Sequence, residues 1–326
     1  MAAAMKSFTS RPVLERNRSI LLAYALVVVL AIFGELVAGG FLTISHIDQL
    51  LIEASFIAFV ALGQSFVILS GGIDLSIPWV LNAAAVLLTI FANGSNGKTL
   101  WLFPLLLAGG AVVGLLNGLG VMYLRIPPII MTLGMSSMVE GGLLLYTNGG
   151  SGNIAPTGVV YAATHRWGPV PVVAVVWLVV LVAATVVLSA TPFGRRLYAT
   201  GLNRRVAEFS GVNVRWVTVS VYVISGVAAA LAGLVLAGYV GESYLGMGDP
   251  YLFASVAAVA IGGASVLGGT GNYVGTTAGA LVLALLAAIL PILGFSQATL
   301  EIVYGLVILV AVSLSSLRLA ANRSAD

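Results

Sequence analysis

The sequence predicts an all-α polytopic membrane protein with about ten transmembrane helices. Three observations predict it. Of the 326 residues, 60% are hydrophobic and 8% charged, whereas soluble domains carry about 25% charged residues, so a water-soluble body this size could not cover its apolar surface. Apolar runs of bilayer-crossing length recur near residues 20–38, 50–70, 77–93, 99–124, 127–147, 170–190, 216–240, 251–268, 272–291 and 299–317. The Lys and Arg residues fall on one side of the alternation that these runs imply.

The first run, SILLAYALVVVLAIFGELV, follows a basic segment at 1–19 and is too long for a signal-peptide core, so it reads as a retained helix. Gly and Pro interrupt the second, third, eighth and ninth runs and soften their ends. With the N-terminus inside, Lys6, Arg11, Arg16, Arg18, Arg125, Arg195, Arg196, Arg204, Arg205, Arg215, Arg318 and Arg323 lie on the inner side, and only Lys98 and Arg166 outside. Both termini are then cytoplasmic. The chain divides into a cytoplasmic segment 1–19, one transmembrane domain 20–317 and a tail 318–326.

Two linkers are long. Residues 148–169 are rich in Gly, Asn and Pro and fall outside; 191–215 carry five arginines and fall inside. In the inner linker Asn203 suits an N-cap, RRVAEFS supplies a short helix, and Gly211 suits a left-handed C-cap. Val206 and Phe209 share a face. Such a helix either rests on lipid headgroups or docks a cytoplasmic partner.

The stretch VILSGGIDLSIPW at 67–79 breaks an apolar pattern with Gly71, Gly72, Asp74, Ser76 and Pro78. Non-helical backbone at membrane depth needs protein or a water-filled cavity to satisfy it. Asp74 or Ser76 can cap the helix that follows, and the same break can border a solute path. Shifted by 200 residues, 51–65 aligns with 251–265, pairing Ala54/Ala254, Ser55/Ser255, Ala58/Ala258, Gly63/Gly263 and Ser65/Ser265. Gly262, Gly263, Gly268 and Gly269 then supply a second glycine break, and paired broken helices point to a transport path. Gln64, Asn117 and Glu140 are further polar groups within apolar runs: interhelical hydrogen bonding or solute contact would account for each.

Other chemistries find little support. With no cysteine and only two histidines, His46 and His165, the chain offers no thiolate site and no HExxH spacing. It has no GxxxxGK[ST] nucleotide loop. An ion-coupled secondary transporter is the alternative, with Asp74 and Glu140 as its carboxylates, but it leaves the arginine-rich inner linker without a role.

VILSGGIDLS resembles a segment of permease subunits of bacterial ABC importers for monosaccharides, of the ribose, xylose and autoinducer-2 branch. Residues 115–145, 191–214, 221–238 and 260–286 are similar to further segments of that family, in the same order. The resemblance implies a type II-like permease with two pseudo-symmetric halves, about 50–147 and 216–317, and a coupling loop at 191–215. It implies a second permease copy or paralogue, ATPase subunits below, a periplasmic solute-binding protein above, surrounding lipid, and no nucleic acid. It implies no cofactor on this chain, since ATP and magnesium belong to the ATPase. Asn203, Arg204, Arg205, Ala207, Glu208, Phe209 and Gly211 would form the coupling helix. This chain departs from the family in having Ile77, Pro78 and Trp79 after GGIDLS, and Phe253, Ala254 and Ser255 where an acidic residue is common.

Overall fold

A computed structural model describes residues 18–150, 152–168 and 170–323, with side chains through residue 313. The helices in chain order are α1 (Arg18–Ala38), α2 (Ile44–Leu69), α3 (Ile77–Ala92), α4 (Asn96–Met122), α5 (Pro128–Thr147), α6 (Thr157–Thr164), α7 (Val172–Ala190), α8 (Pro192–Leu202), α9 (Arg204–Phe209), α10 (Val214–Val240), α11 (Tyr251–Ile261), α12 (Tyr273–Ile292) and α13 (Gln297–Arg323). Between α6 and α7, β1 (Arg166–Trp167) pairs antiparallel with β2 (Val170–Pro171). Most of the expected N-terminal segment, with Lys6, Arg11 and Arg16, lies outside the described residues, as does the end of the expected tail and the Arg318 and Arg323 side chains.

Seven described helices, α1, α2, α4, α5, α7, α10 and α12, are long and apolar enough to cross a membrane. The shorter apolar helices are α3, α11 and the stretch Gln297–Ser313 of α13. The molecule is built around α2, buried along almost all of its length from Ala54 to Leu69, with α10 and α12 against it. α1 lies at the periphery on α12, where the Tyr24 hydroxyl meets Thr277 Oγ1 at 3.1 Å. A small-residue seam joins α4 to α10. Gly110, Gly114 and Gly118 recur every fourth residue, and a β-carbon on Gly118 would come 2.8 Å from Val219 Cα. At Gly110 and Gly114 it would overlap the carbonyls of Gly226 and Tyr222. In lipid, where tails are as apolar as leucine, such backbone approach is what drives association.

Several elements differ from expectation. The outer linker holds α6 and the two short strands, and α8 precedes α9 in the inner one. The eighth run stops at Ile261 rather than continuing to 268, because Gly262 and Gly263 close α11. Gly263 takes φ +82°, with its N–H on the Ala260 carbonyl and the Ala264 N–H on Val259. α2 ends the same way at Gly71, φ +88°, with Gly71 N–H on Ile68 and Gly72 N–H on Val67. Both are Schellman motifs, which L side chains resist and glycine allows. The matching helix ends are therefore Gly71 and Gly263. The 200-residue register pairs Gly263 with Gly63, a mid-helix residue against Ser225, and the structure does not keep that register.

Candidate transport pathway and coupling site

After Gly72 the backbone leaves the helix through residues 73–75, and Ser76 returns to helical dihedrals (φ −84°, ψ −12°) as α3 begins. α3 has 16 residues, roughly 24 Å, against a hydrocarbon core of about 30 Å. Protein groups satisfy this non-helical stretch. Leu75 N–H donates to Thr132 Oγ1 at 3.0 Å, and the Ile73 carbonyl accepts from the Tyr222 hydroxyl at 3.5 Å. Asp74, 1% exposed, collects three donors. Its Oδ1 accepts the Ser76 N–H at 3.0 Å and the Ser76 hydroxyl at 2.6 Å, and its Oδ2 accepts the Ser225 hydroxyl at 2.7 Å. Asn117 Nδ2 donates to Ser76 Oγ at 2.8 Å. Ser76 stands at the N-cap position, yet its side chain makes no capping bond. Asp74 instead folds the turn ahead of the helix by bonding two residues on.

The two glycine breaks meet. Gly269 N–H donates to the Leu69 carbonyl at 3.0 Å. A β-carbon on Gly268 would lie 2.9 Å from Gly71 Cα, and one on Gly262, against α12, would overlap the Gly275 carbonyl carbon and lie 2.5 Å from Thr276 N. Gly201, next to last in α8, abuts both: its β-carbon would collide with the Leu69 carbonyl and come within 2.6 Å of Gly269 N. Leu69, Gly269 and Gly201 thus form one junction of α2, the second break and the α8–α9 hairpin. Two residues later Asn203 caps α9 by accepting the Val206 N–H at 3.1 Å. Gly211 (φ +82°) closes it with another Schellman motif, Gly211 N–H to Glu208 and Val212 N–H to Ala207. Ala207 is buried and anchors α9, while Arg204 and Glu208 pair at 3.7 Å on its surface and Arg205 is exposed. Phe209 is 92% exposed.

The remaining expected residues are dispersed. Gln64 lies wholly within α2, with neither amide atom bonded to a described residue. Asn117 joins the Asp74 network through Nδ2, while its Oδ1 has no such partner. Glu140 stands apart, half-buried on α5 and within electrostatic range of Asp249. Sequence reasoning missed Thr132, Ser225, Tyr222 and Asn82. Asn82 is fully buried on α3; with its amide turned to suit both neighbours it donates to the Tyr244 carbonyl at 3.0 Å and accepts the Gly246 N–H at 2.7 Å. With Thr89 Oγ1 bonded to Ser243 Oγ at 2.7 Å and Gly248 packed on the Pro78 carbonyl, residues 243–248 lie along α3. A lone polar residue inside an apolar run was the available signal for all four.

A polytopic helical bundle with two joined glycine breaks and the helical hairpin α8–α9 is the build of a membrane permease. The chain belongs to the permease family described as branched-chain amino acid transport system / permease component, whose model matches residues 46–312. It is a permease subunit of an ABC importer, and ATP hydrolysis falls to a separate ATPase. It is similar to the ribose import permease protein RbsC of Escherichia coli strain K12, 35% identical over 294 residues that cover 88% of this chain and 90% of the relative. The ribose import permease protein RbsC of Bacillus subtilis is 33% identical over 288 residues, 88% of this chain and 89% of its own. The autoinducer 2 import system permease protein LsrC of Photorhabdus luminescens is 30% identical over 273 residues, 83% and 81%. No solved structure matches the chain.

Proposed function

We propose that this permease carries a monosaccharide or related small polar solute inward, received from a periplasmic binding protein, along the helices that flank the glycine junction. The names of the ribose and autoinducer-2 relatives support that solute class. The chain would cross the inner membrane ten times as one domain, 20–317, with both termini cytoplasmic. Its halves, about 50–147 and 216–317, would be pseudo-symmetric, and the matching Schellman ends of α2 and α11 support this. It would work as a dimer with a second copy or paralogue, with ATP and magnesium held by the ATPase alone. The path would be bordered by Gly71, Gly72, Asp74, Ser76, Gly262, Gly263, Gly268 and Gly269, with Gln64, Asn117 and Glu140 further along it.

One observation carries the mechanism: the Gly269 N–H on the Leu69 carbonyl, with Gly201 pressed against both. Residues 203–211 would dock on the ATPase, Phe209 foremost, and closure on ATP would shift them. Through α8 that shift reaches both breaks together, because no side chain lies between Gly201 and the junction to absorb it. The test is a reconstituted complex of permease, ATPase and binding protein. Gly211→Pro and Phe209→Ala should each cut solute-stimulated ATP hydrolysis and uptake several-fold. Unchanged values in both would remove the coupling role of α9.

A further inference from the structure

At the end of α2 away from the junction, a cavity of about 530 Å³ opens between α2, α10, the segment 241–250 and α11. Gln49, Glu53 and Phe56 of α2, Tyr239 of α10, Tyr244, and Tyr251 at the start of α11 line it. The Phe56 and Tyr239 rings lie 5.3 Å apart at 56°. Gln49, Glu53 and the three tyrosine hydroxyls make no hydrogen bond or ion pair with another described residue, although Glu53 stands within electrostatic range of Tyr251. Gln49, Tyr239 and Tyr244 are exposed and Glu53 and Tyr251 half-buried, so these groups are open to a ligand entering the cavity.

Their chemistry is selective. Aromatic faces cover the C–H side of a sugar ring, while a carboxylate, an amide and phenols supply the acceptors and donors that hydroxyls need. The volume lies within the roughly 300–1,000 Å³ of small-molecule sites. Among the described residues no Lys or Arg lines the cavity, so an amino-acid carboxylate would find no cation there and would face Glu53 instead. The cavity is also tied to the inner junction. From Glu53, α2 runs roughly 24 Å down to Leu69, and α11 leads from Tyr251 to the second break.

We propose that this cavity is a solute-recognition subsite within the permease chain, taking a neutral polyhydroxylated solute against the Phe56, Tyr239 and Tyr251 rings with Glu53 and Gln49 on its hydroxyls. The assignment rests on the reading that a sugar-like solute crosses beside α2 and α11. It is tested by saturation-transfer difference NMR on the full chain in lipid nanodiscs, with D-ribose, D-xylose and L-leucine as probes. Both sugars should receive transfer several-fold stronger than leucine. Tyr251→Ala and the isosteric Glu53→Gln should each reduce it several-fold, Tyr251→Phe should keep most of it, and Thr99→Ala, in a separate cavity, should leave it intact. Sugar signals unchanged in both lining variants, or no stronger than leucine's, overturn the subsite. Uptake by the assembled importer is measured alongside: sugar uptake with unchanged NMR signals removes the subsite and leaves the transport function standing, whereas no sugar uptake removes the function itself.

Discussion

Replacing Asp74 by Ala would strand three donors at once, the Ser76 N–H and the Ser76 and Ser225 hydroxyls, in a place water does not reach. A buried donor left alone costs about 1–3 kcal/mol, so the variant should lose about 2–4 kcal/mol, read as a drop in melting temperature of the purified chain. Asp74→Asn keeps one acceptor and lets the Ser225 hydroxyl rotate to accept, so its loss should be about 1 kcal/mol. The same variant separates two roles. Normal assembly with lost uptake means that the carboxylate serves the path, and poor assembly alone means that it serves the turn. The importance of Asp74 was legible in the sequence, because a carboxylate inside an apolar run has few reasons to persist. Its partners were not: Ser225 lies 151 residues away in the chain, and nothing local marks it as the one to approach.

Helices approach one another in this protein through what their glycines lack. Gly201→Ala would drive a methyl group into the Leu69 carbonyl and prise α8 from the junction. Uptake by the reconstituted importer should fall several-fold while basal ATP hydrolysis persists. Gly134→Ala, on α5 with nothing within 4 Å of the added carbon, should leave uptake unchanged and gain up to about 1 kcal/mol from helix propensity. The long apolar helices were legible from run length, though α6 and α8 were not, and the caps Asn203 and Gly211 were legible from residue type. What escaped was depth. Run length put the end of α11 at 268 rather than Ile261, because the apolar residues between Gly263 and Gly268 extend the run past the helix. The Gly110, Gly114 and Gly118 spacing was visible in the sequence, yet only the fold names α10 as its counterpart.

At the scale of the molecule, the positive-inside count implies that Phe209 faces the cytoplasm and Tyr161, on α6, the outside. The absence of native cysteines makes this directly measurable. In intact spheroplasts a membrane-impermeant maleimide should label Tyr161→Cys and spare Phe209→Cys, with the reverse in inside-out vesicles; the opposite pattern would invert the topology. The membrane-length helices followed from composition, because a bilayer imposes a minimum span, while ten crossings and their direction rest on run length and on the placement of Lys and Arg alone. How the ends communicate could not be read there, since it depends on contacts between segments far apart in the chain. The segment 243–248, laid along α3 and held by Asn82, Thr89 and the Pro78 backbone, is one such contact. It acts as a rivet: α3 cannot tilt at its foot, beside Asp74, without tugging the segment that leads into α11. Amide hydrogen exchange at Gly246 should therefore be as slow as in a helix, and Asn82→Leu should quicken it while every helix stays in place.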